Sequence, residues 1–228
     1  MEYYMLEWGC IIVATVISLA AQLYIKLNFS KYSKRKTDNS ITGSEAARRI
    51  LDNNELQNVV INNVRGELTD FYDPRNKSVN LSESTYAEHS IAAVAVAAHE
   101  CGHAIQDKKG YLFLRIRKSM APVVKFASYA GYLSILLGFF LSLLGLIRIG
   151  IAMEIIILIF QLVTLPVEFN ASNRALKQIK ELGLLSTDEY KGGRKMLVSA
   201  ALTYVASVAS AILQIVRLLL ILNSRRRD

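Results

Sequence analysis

Four long apolar runs, at residues 8–27, 123–147, 149–167 and 197–222, limit this chain more than any other feature of it. Each is long enough, or nearly so, to cross a hydrocarbon layer of ~30 Å as a helix. With 52% hydrophobic side chains in 228 residues, the chain has more apolar surface than one water-soluble domain can bury. The reading is therefore a mainly α membrane protein with about four transmembrane helices. The first run has Glu2 and Glu7 where a signal peptide carries basic residues, and no small-residue cleavage pattern follows it, so residues 8–29 are expected to stay as an anchor.

The net charge of +8 would suggest nucleic acid for a soluble protein, but here the basic residues flank the apolar runs. Lys31, Lys34, Arg35 and Lys36 follow the first run, and Arg115, Arg117 and Lys118 precede the second. Arg174, Lys177 and Lys180 follow the third, and Lys191, Arg194 and Lys195 precede the fourth. If every run crosses once, these clusters share one side, which the positive-inside rule makes cytoplasmic. The partner implied is a lipid bilayer, with no nucleic acid. Arg148 and the basic tail at 223–228, with Arg225, Arg226 and Arg227, fall on the other side. Cys10 and Cys101 lie too far apart in role to imply a disulfide.

Polarity returns over residues 37–121, the expected soluble part of a small α+β domain. Thr42 and Glu45 form a capping box ahead of a helix ending near Asn53 and Asn54. Residues 58–64, 68–72 and 78–81, separated by turns at Gly66 and at Asp73-Pro74, predict a short β meander. Asp70 and Asp73 are read as turn residues. A second capping box, Thr85 with Glu88, is expected to open a helix running past His103 to Gln106. Residues 122–167 read as a transmembrane helical hairpin and 168–196 as a helix closed by Gly183 with a connector capped by Ser186 and Glu189. Residues 197–222 read as a fourth apolar helix. Gly131, Gly138 and Gly145 recur every seven residues, a pattern suited to close helix packing. Ser199, Thr203, Ser207, Ser210, Gln214 and Arg217 draw a polar stripe along the fourth helix. Interhelical hydrogen bonds explain such a stripe; a hydrated groove for membrane-borne substrate is the alternative.

Chemistry is concentrated in His99-Glu100-Cys101-Gly102-His103. On a helix the two imidazoles share one face, with Glu100 beside a metal they could hold, the pattern of zinc hydrolases. A catalytic zinc takes three protein ligands and keeps an open position, so a third donor is required. His89, ten residues before His99, lands on another face of the predicted helix. Glu168 is the better candidate, emerging where the third apolar run ends; a carboxylate at that edge otherwise asks for explanation.

The segments Leu68-Thr69-Asp70-Phe71-Tyr72-Asp73-Pro74, Ala97-Ala98-His99-Glu100-Cys101-Gly102-His103-Ala104-Ile105-Gln106, Thr164-Leu165-Pro166-Val167-Glu168-Phe169-Asn170-Ala171-Ser172 and Ala201-Leu202-Thr203-Tyr204-Val205-Ala206 carry a resemblance. From about Thr42 to the basic tail, the chain resembles the YugP-type neutral zinc metallopeptidases of bacterial membranes. Its site layout is similar to that of the membrane gluzincins related to HtpX and Ste24. The resemblance implies a zincin-like catalytic domain holding one zinc ion, with His99, His103 and Glu168 as metal ligands and Glu100 as the catalytic base. In those relatives an aspartate supports the site where Ser172 stands here. A hydroxyl orients a histidine more weakly than a carboxylate does.

The implied activity is a membrane-bound zinc endopeptidase, cleaving membrane or misfolded proteins from the cytoplasmic face. A substrate strand is expected along the edge of the 78–81 strand, with Val79 at the contact. Arg174 is read either as a partner for an oxyanion or substrate carboxylate, or as part of a solvated face. Two other readings stand beside this one: a site-2-type intramembrane protease, and a membrane scaffold or insertion factor retaining the motif. The sequence is silent on oligomeric state.

Overall fold

The computed structural model describes residues 2–224, so the basic residues of the expected tail, Arg225 to Arg227, lie outside the described part. It separates into two compact units. Among the described residues, one comprises 2–22, 116–165 and 203–224; the other comprises 23–115 and 166–202.

The first unit is built from long apolar helices. Helix α1 covers Glu2–Ser33. Helices α5 (Leu112–Phe140) and α6 (Leu144–Glu181) form the hairpin, and α7 runs Thr187–Ser224. All four are long and apolar enough to cross a membrane, by length and composition. The hairpin breaks at 141–143, where Ser142 has φ +56°, and not around Arg148 as the charge suggests; Arg148 lies inside α6. A charge near a helix start can reach polar surroundings along its own stem, so it makes a poor boundary marker. Gly131 and Gly138 do mark close packing, since a Cβ on either would meet Met153 or Ile147 side chains at 2.8 Å. Gly145 stands on the next helix with nothing within 4 Å, so it is no third member of that face. Along α7, Ser210 Oγ hydrogen-bonds Ser18 Oγ of α1 at 2.9 Å, the interhelical use expected of the stripe. Ser207 bonds back to its own helix at Thr203 O.

The second unit carries the mixed fold. Helix α2 (Gly43–Asn53) has the expected Thr42/Glu45 capping box and buries Ala46, Ala47, Ile50 and Leu51. Strands β1 (Val60–Val64), β2 (Phe71–Asp73) and β3 (Ser78–Ser82) form a sheet in the order β1-β3-β2. It is not a meander: β3 pairs in parallel with β1 and antiparallel with β2. All five residues of β3 are buried, so this strand takes the middle of the sheet. The Asp70 carboxylate fixes its end, accepting from Ser82 N at 2.8 Å and Ser82 Oγ at 2.9 Å. The β2–β3 turn is held by Asp73, which accepts from Arg75 N and Asn76 Nδ2.

The metal-motif helix begins later than the sequence suggests. Thr85 belongs to a short helix α3 (Glu83–Tyr86), and α4 (Ile91–Lys108) is capped by Ser90, whose side chain accepts from Ala93 N. Residues 88–90 join neither helix, because the segment leaving α1 pairs with the chain there. Thr37 N donates to His89 O, Ile91 N donates to Arg35 O, and Lys36 bridges Ser90. Local capping propensity yields here to non-local backbone pairing. His89 therefore precedes α4 instead of riding on it. From Ile91 to Ala98 the helix is almost wholly apolar and small-residued, and Ala92, Ala93, Ala95, Ala97 and Ala98 are all completely buried. Ala92, Ala95, Ala97 and Ala98 pack in one core with Ile50, Leu81, Ala175, Ile179 and Met196.

Candidate metal centre

Small residues on α4 let a second helix come very close. At Gly102 a Cβ would lie 2.5 Å from Ala171 O and 3.2 Å from Ala171 Cα, both backbone atoms that cannot swing aside. Only glycine permits that approach. It brings the Glu168 turn of α6 against the His99 and His103 turn of α4. Pro166 lies inside α6 just before it, removing one rung of that helix's own ladder. Two carbonyls of this turn anchor α6 to the end of α4 and the residues after it: Tyr111 Oη donates to Pro166 O at 3.4 Å and Gln106 Nε2 to Val167 O at 2.8 Å.

The three expected ligands converge. His99 Nε2 lies 3.2 Å and His103 Nε2 lies 3.7 Å from Glu168 Oε2. One donor atom from each of the three falls within 4.8 Å of the others. The rings stand edge to face, with centroids 4.8 Å apart and planes 84° apart. Each imidazole is oriented through its other nitrogen: Ser172 Oγ sits 3.2 Å from His99 Nδ1, and His103 Nδ1 donates to Gln106 Oε1 at 3.0 Å. Both Nε2 atoms thereby face the Glu168 carboxylate, the arrangement of metal-bound histidines.

The electrostatics fit the same purpose. Glu168 is 2% exposed and Glu100 8%. Burial pushes the Glu100 carboxyl above its usual range, opposed in part by the imidazoles of His99 and His103. Burial works against a charged His103, yet the facing Glu168 and Glu100 carboxylates outweigh it and draw that imidazole upward. A pocket of two buried carboxylates and two imidazoles is short of positive charge, and a divalent cation supplies it. Two imidazoles and one carboxylate suit zinc by donor type.

Glu100 makes no hydrogen bond among the described residues. Arg174 Nε donates to Asn170 Oδ1 at 2.7 Å, and Asn170 Oδ1 also accepts from Gln106 Nε2 at 3.0 Å. Arg174 thus ends a polar chain that leads through Asn170 and Gln106 to His103. Val79 is completely buried in the central strand, and both sides of β3 are paired, so no substrate can join the sheet there. Cys101 points away from the ligands, with Sγ 3.6 Å from Ala47 O, and burial raises its thiol far above the reactive range. His89 is outside the cluster, its Nε2 2.9 Å from Lys36 Nζ.

Two positions escaped the sequence reading. Gln106, completely buried, carries the hydrogen bond that orients His103; its signal was the three-residue spacing from His103, which places both on one helix face. The need for glycine at 102 has no signal in the sequence, because nothing there names Ala171 as what it must clear.

Comparison with known proteins agrees with this geometry. Residues 8–223 match the family described as "Putative neutral zinc metallopeptidase". The chain is 46% identical over 215 residues to a protein of Bacillus subtilis (strain 168) named "Putative membrane protease YugP", an alignment covering 94% of this chain and 96% of that one. No solved structure matches. With its histidine pair and distant glutamate brought together, and with nearly its whole length matched, the chain belongs to this zinc metallopeptidase family.

Proposed function

We propose that the chain is a multi-pass membrane zinc endopeptidase with a zincin-like site, its catalytic unit on the cytoplasmic face of the cell membrane. The convergence of His99 Nε2, His103 Nε2 and Glu168 Oε2 carries this reading. These residues would hold one zinc ion, which when bound supplies Lewis acidity toward water and a peptide carbonyl. Ser172 and Gln106 hold the two imidazoles in orientation, and the Gln106 Oε1 acceptor keeps a proton on His103 Nδ1. Glu100, buried, adjacent to a proposed ligand and without a hydrogen bond among the described residues, takes the proton from the attacking water and gives it to the leaving amine. Burial favours this exchange by raising the carboxyl's affinity for the proton it must carry between the two.

A peptide substrate lies extended beside α4. With β3 enclosed, β2 offers the sheet edge next to that helix: its Tyr72 hydroxyl donates to Asp107 of α4 at 2.9 Å. Backbone pairing along an open edge is sequence-tolerant, which suits a protease acting on membrane or misfolded proteins. The site-2-type alternative places the histidine helix in the bilayer, but α4 is not among the four candidate spans.

Glu100→Gln tests the assignment. The variant should retain zinc at the wild-type ratio and lose hydrolysis of a quenched fluorescent peptide by about 10²–10⁴-fold. Undiminished turnover would remove Glu100 as the base, and loss of zinc without any wild-type peptidase activity would favour a scaffold.

A further inference from the structure

In the chain of polar groups from His103 to Arg174, each hydrogen-bond role is fixed from outside the metal centre. A backbone carbonyl can only accept, so the Gln106 atom 2.8 Å from Val167 O is the amide nitrogen. A guanidinium can only donate, so the Asn170 atom 2.7 Å from Arg174 Nε is the carbonyl oxygen Oδ1. That same oxygen lies 3.0 Å from Gln106 Nε2. Both amide protons of Gln106 are therefore engaged, one by Val167 and one by Asn170, and its Oε1 is left facing His103 Nδ1 at 3.0 Å. An acceptor there requires a proton on Nδ1, and a neutral ring then carries its lone pair on Nε2. His99 has no such lock, since its neighbour at Nδ1 is the Ser172 hydroxyl, which can donate or accept. Gln106 is completely buried, so a bond lost from its amide is costly.

We propose that Asn170 is a positioning residue of the metal centre: held by Arg174, it locks the Gln106 amide and so keeps the proton of a neutral His103 on Nδ1, with Nε2 open to the metal. The inference rests on the metal-site reading above. With Asn170 in place, turning the Gln106 amide over sacrifices its bonds to both Val167 O and Asn170 Oδ1; without it, only the first is lost. An inverted amide would present an N–H to His103 Nδ1 and drive the ring proton to Nε2, where it blocks the metal. Arg174 acts one step further out. Four residues after Asn170 on the same face of α6, it keeps that second amide from turning in its own place. This use of the guanidinium requires no contact with substrate.

Full-length wild type, Asn170→Leu, Asn170→Asp and Arg174→Leu are compared in detergent, with isotope-labelled histidine for nuclear magnetic resonance. The chain has three histidines; His89→Gln removes one signal, and Ser172→Ala moves that of His99. In zinc-free wild type at alkaline pH, where the rings are neutral, His103 should show one form, protonated at Nδ1. Asn170→Leu should show a second form protonated at Nε2, and should bind zinc about tenfold or more weakly in chelator competition. Asn170→Asp keeps an acceptor for both donors and should restore tautomer and affinity together. Arg174→Leu, which changes only a partly exposed side chain, should shift both in the same direction by less. A wild-type tautomer in Asn170→Leu overturns the proposal. So does an Asn170→Asp variant that loses zinc as the leucine variant does, since packing and not acceptance would then be at work. If Asn170→Leu does not fold, an unchanged tautomer and zinc affinity in Arg174→Leu overturn it instead. Absence of zinc-dependent peptide hydrolysis by wild type overturns the peptidase reading alone, because tautomer and affinity are both measured without substrate.

Discussion

Helix α6 contains two regions built by opposite rules. Between Leu144 and Leu165 it leaves large apolar side chains such as Ile149, Ile155, Ile159 and Leu162 exposed, as a lipid-facing helix does. From Pro166 onward it buries Val167, Ala171, Ala175 and Ile179, and among them the polar Glu168 and Ser172. The first half needs only hydrophobicity and length, properties spread over every turn. In the second, each polar group requires a named partner at a set distance, since an unpaired buried charge is costly. Substitutions should accordingly be tolerated in the first half and not in the second.

The largest expected effect comes from Glu168→Ala. Removing one of the three proposed ligands should leave purified protein nearly zinc-free by atomic emission, with the proposed hydrolysis abolished. Glu154→Gln, in the apolar half of the same helix, should keep wild-type zinc content; matching losses in the two variants would erase the distinction between the halves. Gly102→Val comes next. Its side chain would collide with the Ala171 backbone, so α6 must move away, and zinc affinity should fall by well over about tenfold even though no ligand has changed. Normal zinc binding in that variant would show that the close approach does not set the site.

Gln106→Leu and Ser172→Ala probe the supports of the two histidines, and groups of this kind typically contribute about 10–100-fold in metal affinity. Gln106→Leu should be the more severe. It strips His103 of its acceptor and leaves Asn170 Oδ1 with one donor fewer, whereas Ser172→Ala removes one 3.2 Å contact. Competition with a chelator ranks the two variants. The smallest effect is expected at Thr42→Ala, which removes the side-chain cap of α2 and should cost about 1 kcal/mol of stability without changing zinc content. The Thr42 backbone N–H and side chain hold the Glu45 carboxyl below its ordinary value. That part of the cap is present above the unfolded-state pKa and is lost as pH falls through the depressed folded value. Glu45→Gln should therefore destabilise at neutral pH and converge with wild type in acid, read by thermal unfolding.

Features governed by neighbouring residues were legible in the sequence. Thr42 and Glu45 cap a helix because both partners lie within one turn; Asp73 closes a turn with Arg75 and Asn76 for the same reason; Gly183, at φ +60°, follows the end of α6. The reading failed where distant chain intervened. Thr85 and Glu88 have the spacing of a capping box, but residues 35–37 claim the backbone that would have extended that helix. Three strand-like segments were visible, yet which one lies in the middle depends on tertiary burial, and placing β3 there closed the edge assigned to substrate.

By itself the sequence determined the four apolar helices, the spacing that puts His99 and His103 on one helix face, and the donor types that suit zinc. Only the tertiary structure decided that Glu168 meets them, that Gly102 permits it, and that Ser172 and Gln106 aim the rings. Helical periodicity and hydrophobicity act between near neighbours and can be read along a line. The candidate metal site is closed by a contact between groups 69 positions apart in the chain, and it exists only once the packing of α4 against α6 has fixed the distance between them.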